Sequence, residues 1–190
     1  MSNDWRGTLS LFAYSDGLRS ETGERVVYDV AAGKASFGAS DVAGLALAWE
    51  LAPAGAAAEG SLLSHPVSLD PRQPWIARCD RIDFPPGGIA YTHTHPGPGI
   101  RYLLHGSITI RSEGKTTVYE AGEPWFESGP EPVHATAARE GETAFVRVLL
   151  LPAIWEGKRT IRYVDPEDEQ KPKLQRPTVF FDRSITLPTS

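Results

Sequence analysis

Glycine and proline fall in clusters that cut this chain into short segments, and that punctuation limits its fold more than any other feature. Pro85-Pro86-Gly87-Gly88, Pro96-Gly97-Pro98-Gly99 and Gly129-Pro130-Glu131-Pro132 are turn sequences. Between and around them lie runs with strand character at 89–95, 100–105, 107–111, 116–119 and 144–151. Short β-favouring runs separated by turns predict an all-β sandwich or barrel. Helical periodicity is scarce. In 40–51, where a short helix is the competing reading, Leu45, Leu47, Trp49 and Leu51 alternate with small or polar residues, which predicts a strand.

A chain of 190 residues is long enough for one well-buried core and short for two. The dense strand-turn region, about 75–152, is read as a barrel core. Strands are expected before it, within 8–73, at 9–14, 25–30 and 44–51, with a loose loop at 53–60. The arm 153–190 contains a charged, proline-bearing stretch, 165–177, that reads as a surface connection. A strand at 178–187 follows, placed to cover a barrel edge or to pair with another subunit. The whole reads as one domain, 1–190.

The formal net charge of -5 argues against a nucleic-acid-binding surface, which needs a basic footprint. It leaves acidic ligands open, because a basic pocket can sit in an acidic whole. Cys79 is the single cysteine, so no intrachain disulfide can form, and it reads as a small buried hydrophobe. Met1–Gly7 lack the apolar stretch of a secretory signal, and no apolar run is long enough to span a bilayer. A cytoplasmic protein is the expectation.

Chemistry concentrates in Gly87-Gly88-Ile89-Ala90-Tyr91-Thr92-His93-Thr94-His95. Residues two apart on a strand point to one face, so His93 and His95 project together and can offer two corners of a metal coordination sphere. Here the chain resembles the cupin superfamily, in its compact single-domain form. The family's first motif runs glycine, five residues, His-x-His, three or four residues, glutamate, six residues, glycine. Gly87, His93, His95 and Gly106 match that spacing, but the glutamate position falls on Gly99. The second motif, glycine, five residues, Pro-x-Gly, two residues, histidine, starts at Gly122 and ends one residue late at His134. The resemblance covers about 75–151.

The resemblance implies an all-β jelly-roll barrel (the cupin double-stranded β-helix) with extra terminal strands, and His134 as a third metal ligand beside His93 and His95. Without the glutamate, three neutral imidazoles would favour Fe, Ni, Zn or Cu as the divalent transition metal. The alternative, ranked below metal binding, is that the loss of the glutamate marks a decayed site. If Gly99 faces inward, Arg101 shares its face. There it would clamp a carboxylate or phosphate, or else sit at the barrel mouth paired with an acid such as Glu127 or Glu131. Tyr91 shares the parity of His93, as a hydroxyl donor to the cavity or as packing with a wet tip. Glu127 is a candidate for the lost carboxylate, although nothing in its spacing demands it. His105 is expected in solvent and His65 in a loop, with one of Trp125 and Phe126 packed inside.

Two functions follow as expectations. The first is a metal-dependent cupin enzyme, of dioxygenase type, acting on a small polar or carboxylate-bearing substrate, with Tyr91 and Arg101 as catalytic candidates. The second is a non-catalytic small-ligand-binding or sensor protein with a degenerate metal site. A storage barrel ranks third, since such barrels often lose these histidines. A small-molecule ligand and a homodimer are expected, with no nucleic acid and no membrane as partners.

Overall fold

The computed structural model describes residues 4–21, 23–56 and 58–189. Seven strands come first: β1 (Trp5–Tyr14), β2 (Leu18–Ser20), β3 (Arg25–Asp29), β4 (Lys34–Phe37), β5 (Ser40–Val42), β6 (Ala46–Pro53) and β7 (Leu63–Leu69). Eight more follow: β8 (Trp75–Phe84), β9 (Ile89–Thr94), β10 (Gly99–His105), β11 (Ser107–Ser112), β12 (Lys115–Glu120), β13 (Pro124–Glu127), β14 (Val133–Ala137) and β15 (Thr143–Pro152). The last segment adds β16 (Arg162–Tyr163) and β17 (Arg176–Ile185), with short 3-10 turns at Ala153–Trp155 and Pro166–Gln170. Among the described residues no helix is long and apolar enough to cross a membrane.

Strands β8 to β15 form two facing antiparallel sheets, ordered β13-β10-β15-β8 and β12-β11-β14-β9. This is the double-sheet jelly roll that the motif spacing implied. Strand β17 extends the first sheet by pairing along β8, and β16 extends the second by pairing with β9. The C-terminal strand therefore covers a barrel edge, as its sequence suggested. The N-terminal strands make a third layer, ordered β4-β3-β6-β1-β7, while β2 and β5 pair apart from it. His65 lies within β7 and not in a loop, its ring stacked 3.5 Å from that of Phe126.

The sheet containing β8 and β15 is covered on both faces, which explains why β15 reads TAFVRVLLLP without alternation. Its outer face (Ala77, Cys79, Ile100, Val146, Val148, Leu150) packs on Leu9, Leu11, Val26, Leu47 and Trp49 of the N-terminal sheet. Burying a side chain of this size contributes about 1.5–3 kcal/mol. The Trp49 Nε1–H donates to the Ile100 carbonyl at 3.1 Å and ties the two layers. The inner face (Ile82, Phe84, Leu103, Phe145) meets Ala90, Ile108, Ile110, Val133 and Ala135 across the barrel. The β10–β11 corner needs glycine: Gly106 has φ 79°, and a Cβ there would lie 2.5 Å from the Thr143 hydroxyl.

Candidate functional site

Polar side chains enter the apolar barrel from five of its strands. Along β8, the inward positions that carry Ile82 and Phe84 also carry Arg78 and Asp80; along β15, Arg147 shares the face of Phe145. Strand β10 contributes Arg101 and β13 contributes Glu127. His93 and His95, from β9 and the turn after it, are 5% and 4% exposed, with ring centroids 4.9 Å apart and the planes nearly perpendicular. The two glycine-proline clusters around them pack backbone to backbone. A Cβ at Gly129 would lie 2.3 Å from the Gly97 carbonyl oxygen, and His95 N–H donates to the Gly129 carbonyl at 2.7 Å.

Two buried ion pairs flank the histidines. Arg147 holds Asp80 in a two-pronged contact, Nε to Oδ1 at 2.6 Å and Nη2 to Oδ2 at 3.0 Å. Arg101, wholly buried, lies 2.6 Å from the Glu127 carboxylate and donates through Nη1 to the Gly99 carbonyl at 2.7 Å. Glu127 also accepts from the Trp125 indole at 2.9 Å. Gly99 and Glu127 are direct partners on the β10–β13 ladder. Of the two sequence readings of Arg101, the pairing with Glu127 is the one found, but inside the barrel and not at its mouth: both side chains point inward.

The histidines are neutral bases. Burial pushes the His93 pKa down to about 4, against the opposing pull of its bond to the Tyr91 backbone and of Glu127. Its Nδ1–H donates to the Tyr91 carbonyl at 2.6 Å, which leaves the lone pair on Nε2. Burial, then the charges of Arg147 and Arg101, holds His95 well below the ordinary imidazole range. Arg147 Nη1 donates to His95 Nε2 at 3.2 Å, so the ring proton of His95 sits on Nδ1, which is buried without a hydrogen-bond partner. Burial also lowers Arg101 to about 10, partly offset by Glu127, and it stays charged at neutral pH.

The expected three-histidine set is not assembled. In β14 the inward residues are Val133 and Ala135, which line the interior, while His134 is turned away and its Nδ1 lies 3.4 Å from the Thr92 hydroxyl. The physical reason is the motif's late ending: one extra residue in the turn moves the imidazole to the opposite face of the strand. Tyr91 is corrected likewise. His93 pairs with Val133 and Ala90 with Ala135, so β9 carries one extra residue there, and the bulge breaks the parity of Tyr91 with His93. The Tyr91 ring instead meets the ammonium groups of Lys171 at 5.0 Å and Lys173 at 5.8 Å. Among the described residues no three His, Cys, Asp or Glu side chains gather as a metal group would require. His95 Nε2 is engaged by a guanidinium, Glu127 is tied to Arg101, and two permanent cations border the pair. These residues do not fit a divalent transition metal.

A cavity of about 40 Å³ lies between His93, His95, Glu127, Arg147 and Gln175 and the aromatic wall of Trp125 and Phe145. It shares Ile82, Arg147, Ile161 and Gln175 with a vestibule of about 540 Å³ roofed by the C-terminal arm. Arg78 fastens that arm, bonding both Asp182 carboxylate oxygens at 2.6 Å and the carbonyls of Lys158 (2.6 Å) and Trp155 (3.1 Å). Lys158 and Lys173 line the vestibule, and among the described residues neither has a carboxylate partner. The Lys173 ammonium bonds the backbone carbonyls of Asp168 and Lys171 and lies 4.6 Å from the Tyr163 ring centroid. A further cavity of about 250 Å³, by Trp125, Phe126 and His65, shares Ile110, Trp125, Glu127 and Val133 with the small one.

Sequence reading missed Asp80, Arg147, Gln175, Lys158 and Lys173. A signal existed for two of them: Asp80 and Arg147 interrupt apolar strand runs, where a charge must be paired. The arm residues had none, because their place depends on how 153–177 folds back over the barrel.

No protein-family description matches the chain, and no curated protein matches it. Among solved structures it is similar to an RmlC-like cupin from Shewanella frigidimarina NCIMB 400, with 18% identity over 44% of this chain and 70% of that one and a TM-score of 0.35. It is also similar to the polyketide cyclase RemF from Streptomyces resistomycificus, with 24% identity over 50% and 70% and a TM-score of 0.38. TT1209 from Thermus thermophilus shares 22% identity over 40% and 73%, with a TM-score of 0.34. The jelly-roll assignment rests on the strand order given above.

Proposed function

We propose that this protein binds a small carboxylic acid in the vestibule between the barrel and its C-terminal arm. The observation that carries the reading is that two lysines, Lys158 and Lys173, which have no carboxylate partner among the described residues, line the same vestibule as Arg147. A volume of about 540 Å³ suits a small organic ligand. Ile82, Ile161, Tyr163 and Val179 supply apolar wall for its carbon skeleton. In this reading the buried ion pairs Arg147–Asp80 and Arg101–Glu127 fix the floor of the site, and the chain is a ligand-binding jelly roll. The metal-dependent dioxygenase expectation has no assembled ligand set to rest on.

Calorimetric titration with acetate, propionate, lactate, benzoate and para-hydroxybenzoate tests the reading. At least one acid is expected to bind with a Kd below about 1 mM, weakening as salt is raised. Lys173→Met is expected to weaken it by about tenfold, the scale of one charge-assisted hydrogen bond. Absence of binding across the panel, or affinities indifferent to Lys173→Met, would overturn it.

A further inference from the structure

The small cavity behind the vestibule has a hydrogen-bonding pattern of its own. His95 Nε2 is the acceptor for Arg147, a group that can only donate, so the His95 proton sits on Nδ1, buried with only a weak pull from the Thr160 backbone and no well-formed bond among the described residues. His93 has the reverse arrangement. Its Nδ1–H is committed to the Tyr91 carbonyl, and its Nε2 is a bare acceptor. Gln175 comes from the arm. Its amide nitrogen reaches the Tyr163 hydroxyl at 3.5 Å, while its Oε1 is buried without a partner. All three side chains line the same cavity of about 40 Å³. The pocket therefore presents one weakly engaged donor and two free acceptors at the foot of a basic vestibule.

Few small groups match that pattern. A carboxylate or ketone oxygen can only accept and leaves both acceptors bare. An ammonium only donates, and Arg147 and Arg101 beside it repel its charge. A methyl group satisfies nothing, and each buried polar atom left bare carries a cost. A hydroxyl accepts from His95 Nδ1–H and donates to one of His93 Nε2 and Gln175 Oε1, so of groups that a ligand can carry it leaves the fewest bare; a water molecule, with two protons, is its competitor for the cavity. The cavity has room for such a group and no more; of the two larger cavities that adjoin it, the vestibule carries Arg147, Lys158 and Lys173 for the rest of an anionic ligand. We infer that the ligand is a small hydroxy acid, its hydroxyl seated between His93, His95 and Gln175 and its carboxylate among the vestibule cations. The inference rests on the carboxylate-binding reading and narrows it to one class.

Two matched pairs of acids test it by calorimetry: lactate against propionate, and para-hydroxybenzoate against benzoate. In the wild-type protein the hydroxylated member of at least one pair is expected to bind about tenfold more tightly, because a site built to bond a hydroxyl discriminates against its absence. Gln175→Ala, a change on the arm, and His95→Phe, checked for folding by circular dichroism, are each expected to bring that ratio close to one while the deoxy acid still binds. Equal binding within both pairs would show a cavity holding water only, overturning the hydroxyl assignment but leaving carboxylate binding intact. A preference that survives both substitutions would also overturn it, by placing the hydroxyl elsewhere. If no member of either pair binds, the carboxylate reading falls and the inference falls with it.

Discussion

Gly99 and Glu127 face each other across the β10–β13 ladder, so a carboxylate enters the barrel from the strand beside the one that the motif predicts. The exchange is sterically enforced. A Cβ at position 99 would stand 2.3 Å from the Val148 carbonyl oxygen and 2.7 Å from Leu149 Cδ2. Backbone atoms of β15 cannot yield that space without disturbing the central sheet. Gly99→Ala is expected to destabilise the fold by about 3 kcal/mol, as overpacking does, read as a lower urea midpoint with an unchanged slope. A neutral effect would show that β10 has room for a side chain there.

Glu127 is held mainly by Arg101, and the cost of separating them is lopsided. Glu127→Ala leaves a wholly buried guanidinium without its counter-charge, an expected loss of about 3–5 kcal/mol in urea unfolding. Replacing both groups at once, by Arg101→Met with Glu127→Leu, removes the stranded charge and is expected to recover most of that loss. A double variant as unstable as the single one would mean that the pair is not the partner relation described here.

The depressed His93 pKa fixes the direction of an acid transition. Between pH 6.5 and about 4 the unfolded chain binds a proton at this site that the folded chain does not, so this stability is fully present above pH 6.5 and is lost as the pH falls toward 4. At about 1.4 kcal/mol per pH unit the loss from this group comes to about 3 kcal/mol. The fall in Tm between pH 6.5 and 4 should be visibly smaller in His93→Phe. An identical pH profile in the two proteins would contradict the buried neutral assignment.

The displaced His134 leads to a prediction about metal. Protein purified without chelator is expected to carry less than about 0.1 equivalent of iron, nickel, copper or zinc by mass spectrometry, with a Tm unmoved by EDTA. A near-stoichiometric metal, lost in His93→Ala, would restore the enzyme reading.

The barrel was legible in the sequence because its signals are local. Glycine spacing marks corners such as Gly106, and both turn clusters were marked as turns, although the close approach of Gly97 and Gly129 appears only in the fold. The common face of His93 and His95 was legible too, from the period of two along a strand, whereas for Arg101 the same period left an inward place and one at the barrel mouth both open. Two side chains escaped it, Tyr91 through a bulge in β9 and His134 through one extra turn residue. Strand parity propagates any one-residue change to every side chain beyond it, and a single sequence does not mark where such a change falls. The vestibule was illegible for a different reason: Lys158, Lys173 and Gln175 reach it through long-range contacts of the arm, the pairing of β16 and β17 and the Arg78–Asp182 clasp.

The central claim is the location of an anion, and it can be observed directly. Crystals soaked in para-bromobenzoate, with diffraction recorded at the bromine absorption edge, should show an anomalous peak within the vestibule and the acid's carboxylate on Lys158, Lys173 or Arg147. A vestibule without bromine at saturating acid, or a peak confined to the outer surface of the molecule, would contradict the account.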